Sequence, residues 1–165
     1  MNAVAYFQTL SRYHRWAYRR LYAVAGQLGE ADYRRDCGLF FGSIHATLNH
    51  LLLVDRLWIG RLQGEPFEVT GLDQELVAER GALERSIDAH CAKIEHFVDG
   101  LDDARLSGAL AYRSTKGLPF EQPFVLLLGH VFNHATHHRG QVSAALTRLG
   151  LKAPVMDLPY YLLET

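Results

Sequence analysis

The sequence predicts an all-helical protein, an antiparallel four-helix bundle with a loop or short hairpin before the fourth helix. Three observations predict it. Apolar residues recur at spacings of three and four through four separate stretches of chain. Glycine and proline gather between those stretches, where the chain must turn. The length of 165 residues suits one domain, spanning 1–165, that can bury a substantial core.

The first helix is expected over residues 2–27, with Asn2 as its cap and a stripe of Val4, Phe7, Leu10, His14, Ala17, Leu21 and Val24. A polar linker, "GEADYRRDCG", follows. The second helix is expected over 39–63. It is apolar on nearly every side from Leu48 to Val54, so neighbours should surround it, and Gly64 and Pro66 end it. The third is expected over 73–99, capped by Asp73, with a stripe through Leu76, Arg80, Leu83, Ile87 and Ile94. "ALAYRSTKGLPFEQ" breaks the helical period and reads as a loop or short hairpin around "TKG". The fourth helix is expected over 122–149, with Pro123 in its first turn and Gly150 past its end. The tail "LKAPVMDLPYYLLET" should pack back on the helices, extended or as a single turn.

Composition narrows the function. Seventeen basic residues against 18 acidic ones leave a net charge of −1, which offers no broad positive field for a nucleic-acid backbone. "YHRWAYRRLY" mixes aromatic and basic residues, but one helix face with snorkelling arginines accounts for it. Apolar runs such as "FVLLLG" are too short to cross a bilayer, and the N-terminal stretch lacks signal-peptide features. Cys37 and Cys91 form no CxxC pair. A cytoplasmic protein with reduced thiols is expected.

The histidines carry the chemistry. One stripe of the fourth helix runs Leu127, Val131, His134, His138, Val142, Ala145 and Leu149, so His134 and His138 should face the core one above the other. Burying two neutral imidazoles among leucines is costly unless their nitrogens find partners, and one ion would satisfy a nitrogen of each. His50 lies on a buried row of the second helix and could complete a set of three, leaving Zn²⁺, Ni²⁺ or Fe²⁺ with an open position for water or substrate. The HxxxH spacing alone leaves a structural pair equally open. No HExxH occurs, so the glutamate base of a metalloprotease is missing. His130 is a candidate fourth ligand or supporting residue. His137 should meet the boundary or solvent, His45 should face away from His50, His14 and His90 should be hydrogen-bonded core histidines, and His96 should be exposed.

"SIHATLNHLLLVDRLWIGRLQG" followed by "HVFNHATHHRGQV" resembles the DinB family, also called DinB/YfiT-like metalloenzymes. The similarity spans nearly the whole chain, including the H…D..W pattern, the HRGQ motif and the terminal "MDLPYYL". The resemblance implies a four-helix bundle with one divalent metal held by one histidine of the second helix and two of the fourth. Those positions match His50, His134 and His138. It also implies a homodimer, and a small-molecule reaction of the kind some relatives perform with low-molecular-weight thiols such as bacillithiol or mycothiol. The family name refers to induction by DNA damage and implies no DNA binding.

Other residues have specific expected roles. Asp55 should orient a ligand imidazole or bridge to an arginine; Arg139 should bridge to an acidic residue, with an anionic substrate as the alternative. Asn49, Asn133 and Gln141 are candidates for the pocket lining. Trp58 should anchor the core or an interface, and Tyr112 with "STKG" should border the pocket mouth. The function expected is metal-dependent thiol transfer or hydrolysis on a small molecule; the alternative is a non-catalytic metal or small-ligand binding protein in a stress response.

Overall fold

In the computed structural model, which describes residues 2–165, the chain is mostly helical with one small two-stranded sheet. In order along the described residues come α1 (Ala3–Ala25), α2 (Glu30–Arg34), α3 (Ile44–Gln63), α4 (Arg80–Asp99), α5 (Asp103–Ser107), β1 (Ala109–Arg113), β2 (Pro119–Pro123), α6 (Phe124–Arg148) and α7 (Leu158–Glu164). The long helices α1, α3, α4 and α6 pack on one another: α1 meets α4 and α6, and α3 meets α6 and α4. Among the described residues no helix is long and apolar enough to cross a membrane.

The side chain of Asn2 caps α1 by accepting from the Ala5 amide at 2.8 Å. Phe7, His14, Ala17 and Leu21 of the expected stripe are buried, with Val4, Leu10 and Val24 at its margins. α3 starts later than residue 39. A tight turn pairs Leu39 with Gly42, and Gly42 takes φ +80°, a conformation that side chains with a Cβ rarely adopt. Ser43 then caps α3 by accepting from the Ala46 amide.

α4 also starts later than expected, at Arg80 rather than near 73, and its cap is Glu79, not Asp73. The cause is Asn49 on α3. Its Oδ1 accepts from the amides of Leu76 and Val77, both at 2.9 Å, and its Nδ2 donates to the Val77 carbonyl at 3.1 Å. Backbone groups that a helix would have used are held by a side chain instead. Asn49 therefore fastens the α3–α4 connection and does not line the pocket.

The segment before α6 is a hairpin, with Ala109 opposite Pro123 and Tyr112 opposite Phe120. Pro123 sits at the cap of α6, just before its first turn, and Gly150 at φ +83° follows the last turn. The short helices α2 and α5 lie where irregular chain was expected. The tail does pack back: Tyr161 of α7 meets Tyr13 edge-on, and the Tyr13 hydroxyl donates to the Met156 carbonyl at 2.8 Å.

The apolar core falls into two main clusters. One gathers Leu21, Leu48, Leu52, Leu83, Ile87 and Leu146; the other gathers Phe7, Ile59, Ile94, Phe124, Leu128 and Val131. Along α1 and α3, the buried polar residues His14 and Asp55 fall between them. The candidate site opens on the α3–α6 side of this arrangement.

Candidate metal centre

The 3.6-residue period of α6 sets His134 and His138 one turn apart on the face turned toward α3. Their rings are 4.5 Å apart between centroids. From α3, the His50 ring lies 5.1 Å from His134 and 4.7 Å from His138. The three residues offer ligand atoms that all lie within 4.8 Å of one another, so the cluster could hold a metal ion.

Hydrogen bonds set the state of two of these rings. His50 Nδ1 donates to the Leu72 carbonyl at 2.7 Å, and His138 Nδ1 donates to Gln141 Oε1 at 2.8 Å. Each bond fixes the proton on Nδ1 and leaves Nε2 with a free lone pair, the arrangement that suits an imidazole for a metal. His50 Nε2 lies 3.2 Å from His134 Nε2, and His134 Nδ1 is buried with no partner. Phe41 stacks on the His50 ring, with centroids 3.8 Å apart and planes 23° apart. The Cys37–Gly42 turn aims Phe41 there, closed by the Cys37 amide on the Gly42 carbonyl.

Burial also keeps the cluster uncharged. It pushes the His50 imidazole down to about 4 and the His134 imidazole down to about 3, and it lowers His138 as well. Near neutral pH all three imidazoles are neutral, so no imidazolium has to lose its charge before a cation enters. Three imidazoles suit Zn²⁺, Ni²⁺ or Fe²⁺ better than the oxygen-seeking Ca²⁺ or Mg²⁺.

The same depression has a cost in acid. The unfolded chain binds protons at His50 and His134 below about 6.5, whereas the folded chain resists until about 4 and about 3. The metal-free protein should hold its full stability above pH 6.5 and lose it as pH falls toward 4. Urea unfolding in the presence of a chelator, measured across that range, checks the sign. The double variant His50→Gln, His134→Gln should flatten the dependence.

A pocket of about 300 Å³ adjoins the cluster, lined by His50 and His134 together with Trp58, Arg61, Tyr112 and His130 among others. Ser114 and Thr115 also border it, as the loop reading anticipates. His130 is half-buried in this wall, its ring 5.6 Å from His134 and 5.1 Å from Trp58; it is not one of the three clustered residues. Trp58 packs against the edge of the second core cluster and edge-on against Tyr112 and His130 at the pocket wall.

The remaining expectations divide. His137 and His96 are exposed, and so is Asn133, which places it on the helix surface. Gln141 holds His138 and also donates to His137. His45 is buried with its Nε2 against Glu75 at 2.6 Å and Asn49 at 3.1 Å. His90 Nε2, expected to be bonded, is buried without a partner.

Two expectations are corrected. Among the described residues Asp55 bonds neither an imidazole of the three-histidine cluster nor an arginine. Its Oδ2 accepts from His14 Nε2 at 3.1 Å and from the Tyr18 hydroxyl at 3.4 Å, because its position on α3 turns it away from His50 toward α1. Among the described residues Arg139 bridges to no carboxylate. It reaches His14 Nδ1 at 3.3 Å and Thr136 Oγ1 at 3.0 Å, with its guanidinium over the Tyr13 and Tyr18 rings.

Three site features escaped the sequence reading. Phe41 had a visible cue in the closely spaced glycines around "GLFFG", which mark a tight turn beside the second helix. Arg61 had one in its place on the His50 row. The Leu72 carbonyl had none, since any residue supplies one.

Comparison with known proteins bears on the family and the fold. The chain is 26% identical to Protein DinB of Bacillus subtilis (strain 168) over 160 residues, covering 94% of this chain and 93% of that relative. The crystal structure of a conserved protein from Enterococcus faecalis superposes with a TM-score of 0.68 at 17% identity, covering 84% of this chain and 94% of that one; it has the same fold. The DinB family model matches residues 1–165. The chain therefore belongs to the DinB family.

Proposed function

We propose that this protein is a divalent-metal-dependent enzyme acting on a small molecule, by thiol S-transfer or hydrolysis, with His50, His134 and His138 as the metal ligands. The observation that carries the reading is the meeting of three neutral imidazoles whose ligand atoms lie within 4.8 Å of one another, two of them fastened through Nδ1, beside a pocket of about 300 Å³. A divalent ion held there supplies acidity, lowering the pKa of a bound thiol or water. Leu72 and Gln141 keep the His50 and His138 rings aimed inward. Phe41 shields the far face of His50 from water, which strengthens every electrostatic contact in the cluster.

The wider reading is a single unit over 1–165, an antiparallel four-helix bundle of the DinB/YfiT type, cytoplasmic and homodimeric. Membership of the family and the packing of α1, α3, α4 and α6 support it.

One observation favours a second reading. Among the described residues no aspartate or glutamate lines the pocket, so none there supplies a carboxylate base. That suits a non-catalytic metal or small-ligand binding protein in a stress response. The deciding experiment takes untagged protein, measures its metal content, and assays it with Zn²⁺, Ni²⁺ or Fe²⁺ on thiol conjugates and hydrolysable esters. Turnover that disappears in His138→Ala supports the enzyme. Ligand-dependent stabilisation without turnover supports the binding protein. Protein that neither carries nor takes up a transition metal overturns the metal-dependent enzyme and leaves only the small-ligand form of the second reading.

A further inference from the structure

We propose that the pocket beside the three histidines takes an elongated carboxylate, its anionic end held by Arg61 between the pocket's aromatic walls and its other end reaching the histidines. This deepens the preceding proposal and rests on it for the histidine end only.

The argument starts from α3. His50, Val54, Leu57 and Arg61 follow one another at spacings of four, three and four, so they line one face. All four border the same pocket. Eleven residues of helix rise about 16 Å, and an arginine on a helix leans back toward the N-terminus, which shortens the gap. His50 and Arg61 thus mark the two ends of an elongated space. Val54 and Leu57 lie between them on α3, so the α3 wall of its middle is apolar. A ligand that fills it has a polar group at each end and a hydrocarbon-like body, with a length on the order of 10 Å.

Arg61 is equipped to hold an anion. Its guanidinium lies 4.7 Å from the Trp58 ring centre and 5.1 Å from the Tyr112 ring centre, which fixes the plane of the fork. Tyr112 is itself tied down by its hydroxyl, which donates to Gln122 Oε1 at 2.9 Å. One guanidinium nitrogen donates to the Arg113 carbonyl at 3.0 Å, and no other acceptor engages the group among the described residues. Most of its five N–H donors therefore have no protein partner.

Arg12, Arg15, Arg19 and Arg34, by contrast, each face a carboxylate. Arg61 is half-buried without one, and burial pushes its pKa down. Glu68 lines only the neighbouring groove, which Arg61 and Arg113 share. A partly desolvated cation with free donors is best satisfied by a bidentate carboxylate.

The test is calorimetric titration of wild type and Arg61→Gln, metal-free and Zn²⁺-loaded. The probes are octanoate, octanamide, mercaptooctanoate and mercaptooctanamide, with mercaptopropionate and its amide as a pair too short to span the pocket. Wild type should bind each long acid about 10- to 100-fold more tightly than its amide, with or without the metal. Arg61→Gln should remove that preference, and the short pair should show little of it in the Zn²⁺-loaded protein.

Equal binding of long acid and long amide by wild type overturns the proposal. So does a preference that survives Arg61→Gln. The wild-type comparison decides even if the variant does not fold. The two proposals also fail separately. If the histidines take no metal, the thiol adds nothing while the acid preference remains. If Arg61 takes no anion, the preference vanishes while Zn²⁺ still tightens thiol binding.

Discussion

Replacing His134 by alanine should lower the affinity for Zn²⁺ by more than about 100-fold, because loss of a residue that only supports a ligand already costs about 10- to 100-fold. The same change should leave the metal-free protein within about 1 kcal/mol of wild type. His134 brings the cluster a ring whose Nδ1 is buried without a partner and whose charged form burial excludes down to about 3. Removing a desolvated, half-satisfied polar group offsets the packing that is lost with it. His50→Ala should behave differently. It breaks the bond to the Leu72 carbonyl and the stack with Phe41, so it should weaken the metal-free protein as well as abolish tight binding. Titration with Zn²⁺ and urea unfolding under chelation separate the two effects. Unchanged affinity in His134→Ala would remove that residue from the site.

The largest loss of stability is expected from Arg139→Met. Asp55, His14 and Arg139 are all buried, and they form one chain across α3, α1 and α6. Burial holds His14 in its neutral form, so its ring donates from Nε2 to Asp55 and accepts at Nδ1 from Arg139. The carboxylate and guanidinium thereby compensate each other through a neutral imidazole. Cutting out the guanidinium strands a buried carboxylate, a loss of about 3–5 kcal/mol, or a fall in Tm of roughly 6–20 °C. The double variant Asp55→Asn, Arg139→Met should recover part of that, since no unpaired charge then remains. Thermal melts of the two variants beside wild type measure both. A single-variant loss under about 1 kcal/mol would show that the chain carries little of the stability.

Much of this was legible in the residues. The stripes through Phe7–Leu21 and Leu127–Leu149 mark buried helix faces because side-chain period reports directly on which side meets the core. His134 and His138 could be placed inward on that ground alone. His50 was the best third candidate from its buried row, but a helix apolar around its middle does not say which side meets α6; the family resemblance matched the same residue. The start of α4 was not legible. Leu76 and Leu83 keep the helical period through a stretch whose amides are captured by Asn49, a contact that depends on tertiary placement. The partners of Asp55 and Arg139 were hidden for the same reason. The sequence left Asp55 either a ligand imidazole or an arginine as its partner, and it could not supply His14 from another helix.

The Leu72 carbonyl has one more consequence. It belongs to the irregular stretch between Gly64 and Arg80, the kind of segment in which homologous proteins ordinarily gain and lose residues at little cost. Here one backbone oxygen of that stretch decides which nitrogen of His50 keeps its proton. An insertion or deletion there would displace that oxygen and free the His50 proton to move to Nε2, with every histidine still in place. Evolution can thus retune this centre by editing a connector, and anyone shortening it to harden the protein would be altering its chemistry.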